Sequence, residues 1–312
     1  MAGFRFAACF STCKWRILSM LSQQLVNGLV LGSTYALFAL GFTLIFGVLR
    51  VINLTYGFYF SVGAFVALAA ARELGANIWV ALPLGAVAAG LVAVVADWLL
   101  LTRLRRAKAG ELASLMVTLG AVLALYSLMA VFIGTDIQRF PFGFVDNSAL
   151  EFGDVRISTV QILIIGTTLV LVALLFVLLQ RTRLGLMIRA LAENEDAARL
   201  MGINVGLTVA AVSFLSGMLG GAAGVLIGLN FNAIQPFMGE HMMLRGFAVI
   251  IIGGLGDIRG ALIAGVLLGL LEVLTAGYIS SNAREAVAFT ILVLTLWFRP
   301  VGLFGRAQAK RA

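Results

Sequence analysis

Charge is what this sequence has least of. Only 12% of its 312 residues are Asp, Glu, Lys or Arg, against about 25% in an ordinary soluble domain. With so little charge the chain has no stretch that reads as a separate soluble domain, and its longest polar connections run to roughly 25 residues. Histidine is nearly absent as well. His241 stands alone beside Glu240, with no neighbour suited to metal ligation or nucleophilic catalysis, and reads as an interfacial structural residue. The two cysteines, Cys9 and Cys13, fit neither a common zinc spacing nor a disulfide framework. No G-x-x-x-x-G-K-[ST] loop occurs, which excludes ATP binding of that type by this chain. The superficially similar "GGLGDIRG" (253–260) lacks the Lys-Ser/Thr ending and follows no strand, and reads as a turn between two shorter helices. Nothing here assembles a catalytic constellation, so the chain reads as a non-enzyme.

What is abundant is apolar sequence. Hydrophobic residues make up 62% of the chain and the mean hydropathy is +1.07. Apolar runs of membrane-spanning length recur throughout, and they are continuous rather than alternating with period two, which argues against a β-barrel. The expected fold is an all-α polytopic membrane protein with about eight apolar segments, near 24–49, 51–72, 77–101, 113–134, 157–180, 207–229, 244–275 and 286–304. The seventh is broken by "GGLGDIRG". The net charge of +8 is the ordinary basic bias of cytoplasmic loops, not a nucleic-acid signal; the surroundings expected are membrane lipid.

That bias also gives an orientation. Arg103, Arg105, Arg106 and Lys108 follow the third segment; Arg181, Arg183, Arg189 and Arg199 follow the fifth; Arg306, Lys310 and Arg311 close the chain. All three regions are expected in the cytoplasm. The loop 135–156 is then outside, with Asp136, Asp146, Glu151 and Asp154 against Arg139 and Arg156. The tail is cytoplasmic provided the two pieces of the seventh segment each cross. Counting backwards puts the start of the first segment outside, which Arg5, Lys14 and Arg16 resist. Residues 1–19 therefore read as an upstream extension, with Met20 the natural start. Residues 20–306 are expected to form a single transmembrane domain with a cytoplasmic loop at 181–206, and 307–312 a basic tail.

Glycines four apart (Gly28 and Gly32; Gly217 and Gly221; Gly220, Gly224 and Gly228; Gly265 and Gly269) allow close helix approach in lipid. They fit either a tight bundle or sliding surfaces. Two polar breaks interrupt the apolar sequence: "VINLTYG" (51–57) on the cytoplasmic side and "LNFNAIQPFMGEH" (229–241) on the outer side. Transporters built on inverted repeats bind substrate near such breaks, where free helix ends can meet a zwitterion. Asn53, Thr55, Tyr56, Asn230, Asn232 and Gln235 are the candidate pathway residues; the competing reading is a pair of plain interfacial loops. Asp97 is expected near the cytoplasmic interface and Glu272 near the outer end of its segment. The sequence shows no cluster of mid-membrane ionisable groups of the kind an ion-coupled carrier needs.

Seven charges crowd the nineteen residues Arg181 to Arg199. A short amphipathic helix from about Ala192 to Met201 would end at Gly202, a residue suited to the left-handed cap. Glu193, Glu195 and Asp196 would sit at its start, where the helix dipole favours acids. Small Ala197 and Ala198 would let it seat in a groove of a cytoplasmic motor protein.

Asp196-Ala197-Ala198-x-x-x-Gly202 resembles the E-A-A-x-x-x-G coupling loop of ATP-binding-cassette importer permeases, with Asp in place of Glu. "QQLVNGLVLGSTYALFALGFTLIFGVLRVIN", "GLMIRALAENEDAARLMGIN", "VIIIGGLGDIRGALIAGVLLGLLEVL" and "AVAFTILVLTLWFRPVGLFG" are similar, in order and spacing, to the branched-chain amino-acid permeases. The likeness runs from Gln23 to Gly305 and is to the first of the two permease subunits. The resemblance implies a homologous second permease, two cytoplasmic ATPases that carry ATP and Mg, and a periplasmic substrate-binding protein, all at the bacterial inner membrane. It implies coupling through Glu193, Asp196, Ala197, Ala198 and Gly202. One departure stands out. Where the family reads N-F-A-H-G-E after the first span, this chain has Asn53-Leu54-Thr55-Tyr56-Gly57-Phe58. That puts a branched-chain substrate in question, and relatives carry urea, short amides and other amino acids. The expected function is thus an importer permease for amino acids or a related small polar solute; the alternative is an ion-coupled carrier working without an ATPase.

Overall fold

The structure, a computed structural model, describes the backbone of residues 3–106, 110–141, 143–145, 148–152, 155–299 and 302–305. Lys108, Asp146, Asp154, Arg306 and the tail 307–312 lie outside the described residues, as do the side chains before Met20, those of Cys9 and Cys13 among them.

Helices dominate: α1 (Gly3–Leu49), α2 (Tyr56–Glu73), α3 (Ile78–Ala96), α4 (Thr102–Arg106), α5 (Glu111–Ile133), α6 (Thr159–Arg181), α7 (Arg183–Glu193), α8 (Glu195–Leu200), α9 (Val205–Phe231), α10 (Met238–Gly253), α11 (Ile258–Tyr278) and α12 (Ala283–Phe298). Among the described residues six helices are long and apolar enough to cross a membrane: α1 from Met20, α3 continued to Arg105, α5, α6, α9 and α11. α10 and α12 have 16 residues each, about 24 Å at 1.5 Å per residue, short of the roughly 30 Å of a hydrocarbon core. The outer loop adds an element the sequence did not announce, an antiparallel hairpin of β1 (Ala149–Phe152) and β2 (Val155–Ser158). Gln161 in the first turn of α6 accepts from the Ser158 N–H at 3.1 Å, which fixes where that helix starts.

Contacts sort the two ends. Val48 and Leu49 at the end of α1 pack with Leu191, Ala198 and Val209, and a Cβ at Gly256 would lie 3.6 Å from Gly47. The Leu303 N–H donates to Ile252 O at 2.9 Å. The 181–206 region, the 254–257 turn and the last described residues thus share one end, the one whose basic residues lead it to be expected in the cytoplasm. At the other end Gln23 bonds both ways with the Arg156 backbone, and Arg72 donates to Gln138 Oε1 and Arg139 O. The start of the described side chains therefore lies at the end opposite to residues 181–206.

Small residues set the packing. A Cβ at Gly269 would overlap the Gly32 backbone, and one at Gly265 would lie 2.6 Å from Ala36 Cα; α1 and α11 touch backbone to backbone. Gly217 and Gly221 do the same for α9 against α3. In lipid such contact replaces the hydrophobic drive that water would supply. At the centre Tyr56, Phe38, Phe42 and Phe60 are fully buried, with Phe42 and Tyr56 stacked at 5.3 Å and Phe38 edge-on to Phe60 at 5.5 Å.

Candidate functional site

The region expected to couple consists of two helices, α7 and α8, where the sequence pattern anticipated one from Ala192 to Met201. Asn194 breaks the run with an extended backbone, and its side chain accepts from the Asp196 and Ala197 N–H groups at 3.0 and 3.1 Å. That caps α8 and leaves Glu193 at the end of α7. Gly202 does take the left-handed conformation, at φ +82°. Its N–H reaches Arg199 O, and the Ile203 N–H reaches Ala198 O at 3.1 Å, the paired closure of a Schellman end. Glu193, Glu195, Asp196 and Ala197 are exposed. Ala198 is not: it is buried against Leu191 and Val209 of the same chain, so its small size seats α8 on its own bundle. What projects instead is Leu200, 89% exposed, and Met201, 83% exposed. The pair forms an apolar knob beside an acidic turn. Arg50, at φ 52°, donates to Ala192 O at 3.1 Å and ties α7 to the end of α1.

The first polar break is not a surface loop. Asn53, Thr55 and Tyr56 are buried. Asn53 Oδ1 accepts from the Thr55 N–H at 3.0 Å and from the Thr55 hydroxyl, which also meets the Tyr59 hydroxyl at 2.8 Å. The Tyr56 hydroxyl donates to Phe38 O at 2.9 Å. Phe38 lies eleven residues before the end of α1 at Leu49, about 16 Å along the helix axis. The chain therefore leaves α1, turns back, and starts α2 deep inside the bundle. The second break enters from the outer side. Asn232 adopts the left-handed region at φ 45°, its side chain accepts from the Phe140 N–H at 3.0 Å, and Ile234 pairs with Gln138. Beyond Pro236, α10 begins against α2. The Gly239 N–H donates to Ser61 Oγ at 3.2 Å, and a Cβ at Gly57 would lie 2.8 Å from Gly239 O and 3.1 Å from the Tyr126 hydroxyl. The N-termini of two helices meet face to face in the interior, one reached from each side.

Beside this junction, in the outer half of the bundle, is a cavity of about 330 Å³. It is lined by Leu31 and Tyr35 of α1, Phe60 of α2, Ile227 of α9 and Met238, Met242 and Arg245 of α10, among others that include Gln235 and His241. Arg245 also borders a smaller cavity of about 210 Å³ that reaches Glu285 and Phe289 of α12. Its guanidinium lies 3.5 Å from Glu272 and 3.9 Å from Glu285, with its carbon 5.9 Å from the centre of the Tyr35 ring. Glu272, 1% exposed, accepts from the Tyr35 hydroxyl at 2.7 Å. α1, α10 and α11 thus bring Tyr35, Arg245 and Glu272 together, with Glu272 in the part of α11 nearer its end at Tyr278. Asp97 is also paired inside, with Arg105 one turn of π-helix and one of α-helix later, at 2.8 and 2.9 Å.

Of the six candidate pathway residues, then, Gln235 alone borders the cavity. Asn53, Thr55 and Tyr56 build the start of α2, Asn232 pins the outer loop, and Asn230 is half-buried in the last turn of α9. Sequence reasoning missed Arg245, Tyr35, Arg50, Leu200 and Met201. Arg245 carried a usable signal: a lone arginine in "HMMLRGFAVIII" is an intramembrane charge, and such charges mark function by default.

The family described as "branched-chain amino acid transport system / permease component" matches residues 24–296. The high-affinity branched-chain amino acid transport system permease protein BraD of Pseudomonas aeruginosa is 33% identical over 301 residues, covering 93% of this chain and 97% of that one. LivH of Salmonella typhimurium, with the same description, is 30% identical over 301 residues, with the same coverage. A solved structure titled PsaBC from Streptococcus pneumoniae in complex with Fab aligns at TM-score 0.49 and 13% identity, covering 91% of this chain and 94% of that one, a likeness too low to argue from.

Proposed function

The chain belongs to the branched-chain amino acid transport permease family, and from that premise we propose that it forms half of the translocation pathway of an ATP-binding-cassette importer for branched-chain amino acids or a related small polar solute such as an amide or urea. It is a transport subunit and not an enzyme, and it is a multi-pass protein of the inner membrane. In this reading a homologous second permease completes the pathway and a periplasmic binding protein delivers the solute. Two cytoplasmic ATPases bind ATP and Mg, and they dock on α7 and α8.

The observation that carries the reading is the build of the coupling end. The surface of α8 exposes Glu195, Asp196, Leu200 and Met201, while Ala198 locks the same helix to α1 and α9. A partner gripping the knob moves a body that is already fastened to the bundle. Arg50 passes that movement to residues 51–55, and these lead directly to the start of α2 and its contact with α10. Nucleotide can drive the cycle only through ATPases that bind the outward- and inward-facing states with different affinity. An ion-coupled carrier working alone has no support: Glu272 is already paired with Arg245, and the coupling helices have no part in such a mechanism.

Proteoliposomes holding this chain with its partner permease and ATPases, binding protein outside and ATP inside, test the proposal. Uptake of labelled amino acid should require both ATP and binding protein. Uptake by this chain alone on an ion gradient, indifferent to ATP, overturns it.

A further inference from the structure

Arg245 is held but not satisfied. Its guanidinium is 29% exposed, carries five N–H donors, and among the described residues makes ion-pair contacts only at 3.5 and 3.9 Å, with no hydrogen bond. An arginine inside a membrane bundle ordinarily spends its donors on a carboxylate or on backbone carbonyls. Here Glu272 sits behind it, fixed by the Tyr35 hydroxyl, and supplies charge balance without occupying the fork. Arg245 lines the larger cavity as well as the smaller one. The rest of the larger cavity is mainly hydrocarbon, sulfur and aromatic surface from Leu31, Phe60, Ile227, Met238 and Met242.

We propose that Arg245 is a carboxylate anchor in the translocation pathway, and that the cavity beside it takes a small solute bearing one carboxylate and one apolar side chain. Glu272 is a positioning residue that holds the guanidinium at the cavity wall, and Tyr35, whose side chain also lines the cavity, fixes Glu272 through its hydroxyl. The volume of about 330 Å³ suits an aliphatic amino acid and excludes a peptide of several residues. This inference deepens the importer reading and rests on it for the identity of the pathway. It also selects among the solutes named there, because urea and simple amides have no carboxylate to offer.

The test is ligand binding to the purified permease–ATPase complex without binding protein, read by saturation-transfer NMR with millimolar leucine and, separately, leucinamide. Leucine should give signal on the wild-type complex, and leucinamide about tenfold less or weaker still, the discrimination expected when a charge-assisted fork is lost. Arg245→Gln should abolish the leucine signal, and Arg245→Lys should retain part of it. Removing Arg245 alone strands a buried carboxylate, so the charge-balanced Arg245→Gln/Glu272→Gln pair is the companion variant; it should elute as an intact complex and still fail to bind leucine. Tyr35→Phe should weaken leucine binding severalfold without changing the preference for leucine over leucinamide. Equal signals from leucine and leucinamide, an undiminished leucine signal in the balanced pair, or no signal on the wild-type complex would each overturn the proposal. If leucine binds through Arg245 but uptake proves independent of ATP, the subsite stands and the importer reading falls.

Discussion

Asp97 and Glu272 are both buried carboxylates: Asp97 bonds to Arg105, and Glu272 lies 3.5 Å from Arg245 with Arg284 also acting on it electrostatically. They differ in how far the sequence discloses the partner. Arg105 lies two turns beyond Asp97 in the same run, so that pair was within reach of helical spacing. Arg245 reaches Glu272 from another helix, which no local pattern reveals. Asp97→Ala leaves Arg105 without its partner and should destabilise the purified protein by about 3 kcal/mol, read as a lower melting temperature. The neutral pair Asp97→Asn/Arg105→Gln should recover part of that loss. Glycines make the opposite point, that a residue matters by what it leaves out. At Gly239 a side chain would overlap Gly57 O, so Gly239→Val should yield no monodisperse protein in size-exclusion chromatography. Gly120 has nothing within 4 Å of an added Cβ, and Gly120→Val should leave elution and yield unchanged. Sequence spacing marked many glycines as packing positions but gave no sign that Gly57 and Gly239 face each other.

Among the elements, α7 and α8 were legible in part. The acidic start and the Gly202 stop are written in local sequence, because caps depend on a few neighbouring residues. The split at Asn194 was missed since an asparagine inside a good helical run reads as tolerable until its side chain is seen capping the next helix. The inward side of Ala198 and the outward side of Leu200 and Met201 depend on how α8 lies against α1 and α9. Leu200→Asp/Met201→Asp should leave the permease folded, as both side chains are exposed, and cut ATPase co-purification and ATP-driven uptake about tenfold or more. Gly202→Val forces a β-branched residue to φ +82°, at a cost of about 1–2 kcal/mol. It should uncouple hydrolysis from uptake while the chain still inserts. Arg50→Ala should preserve ATPase binding and lower the amino acid moved per ATP severalfold, since it cuts the tie to α1 and not the docking surface.

At the scale of the whole molecule, the arginine bias of loops suggests an orientation because it is imposed by insertion and does not wait for packing, and the contacts place residues 181–206 and the 135–156 loop at opposite ends. Segment boundaries were good where a span crosses simply, and failed at α2 and α10, which start inside. Reactive cysteines check the arrangement once Cys9 and Cys13 are replaced by Ser. Leu200→Cys should be labelled by a membrane-impermeant thiol reagent only from the cytoplasmic side, and Ile137→Cys and Ile279→Cys only from outside. Labelling of any of the three from the wrong side would overturn the orientation. The meeting of the two breaks was beyond the sequence for a plain reason: Ser61 and Gly239 are 178 residues apart, and their contact exists only after the helices between them have packed.

That separation also sets a clock for biogenesis. At roughly 5–20 residues per second on the ribosome, 178 residues take on the order of 10–35 s. For that interval the newly inserted α2 has the amide-bearing tip of its helix at mid-depth and lacks the α10 surface that will cover it. Folding of the pathway is therefore a late event, set by the arrival of α10, and the nascent chain must be sheltered from lipid until then.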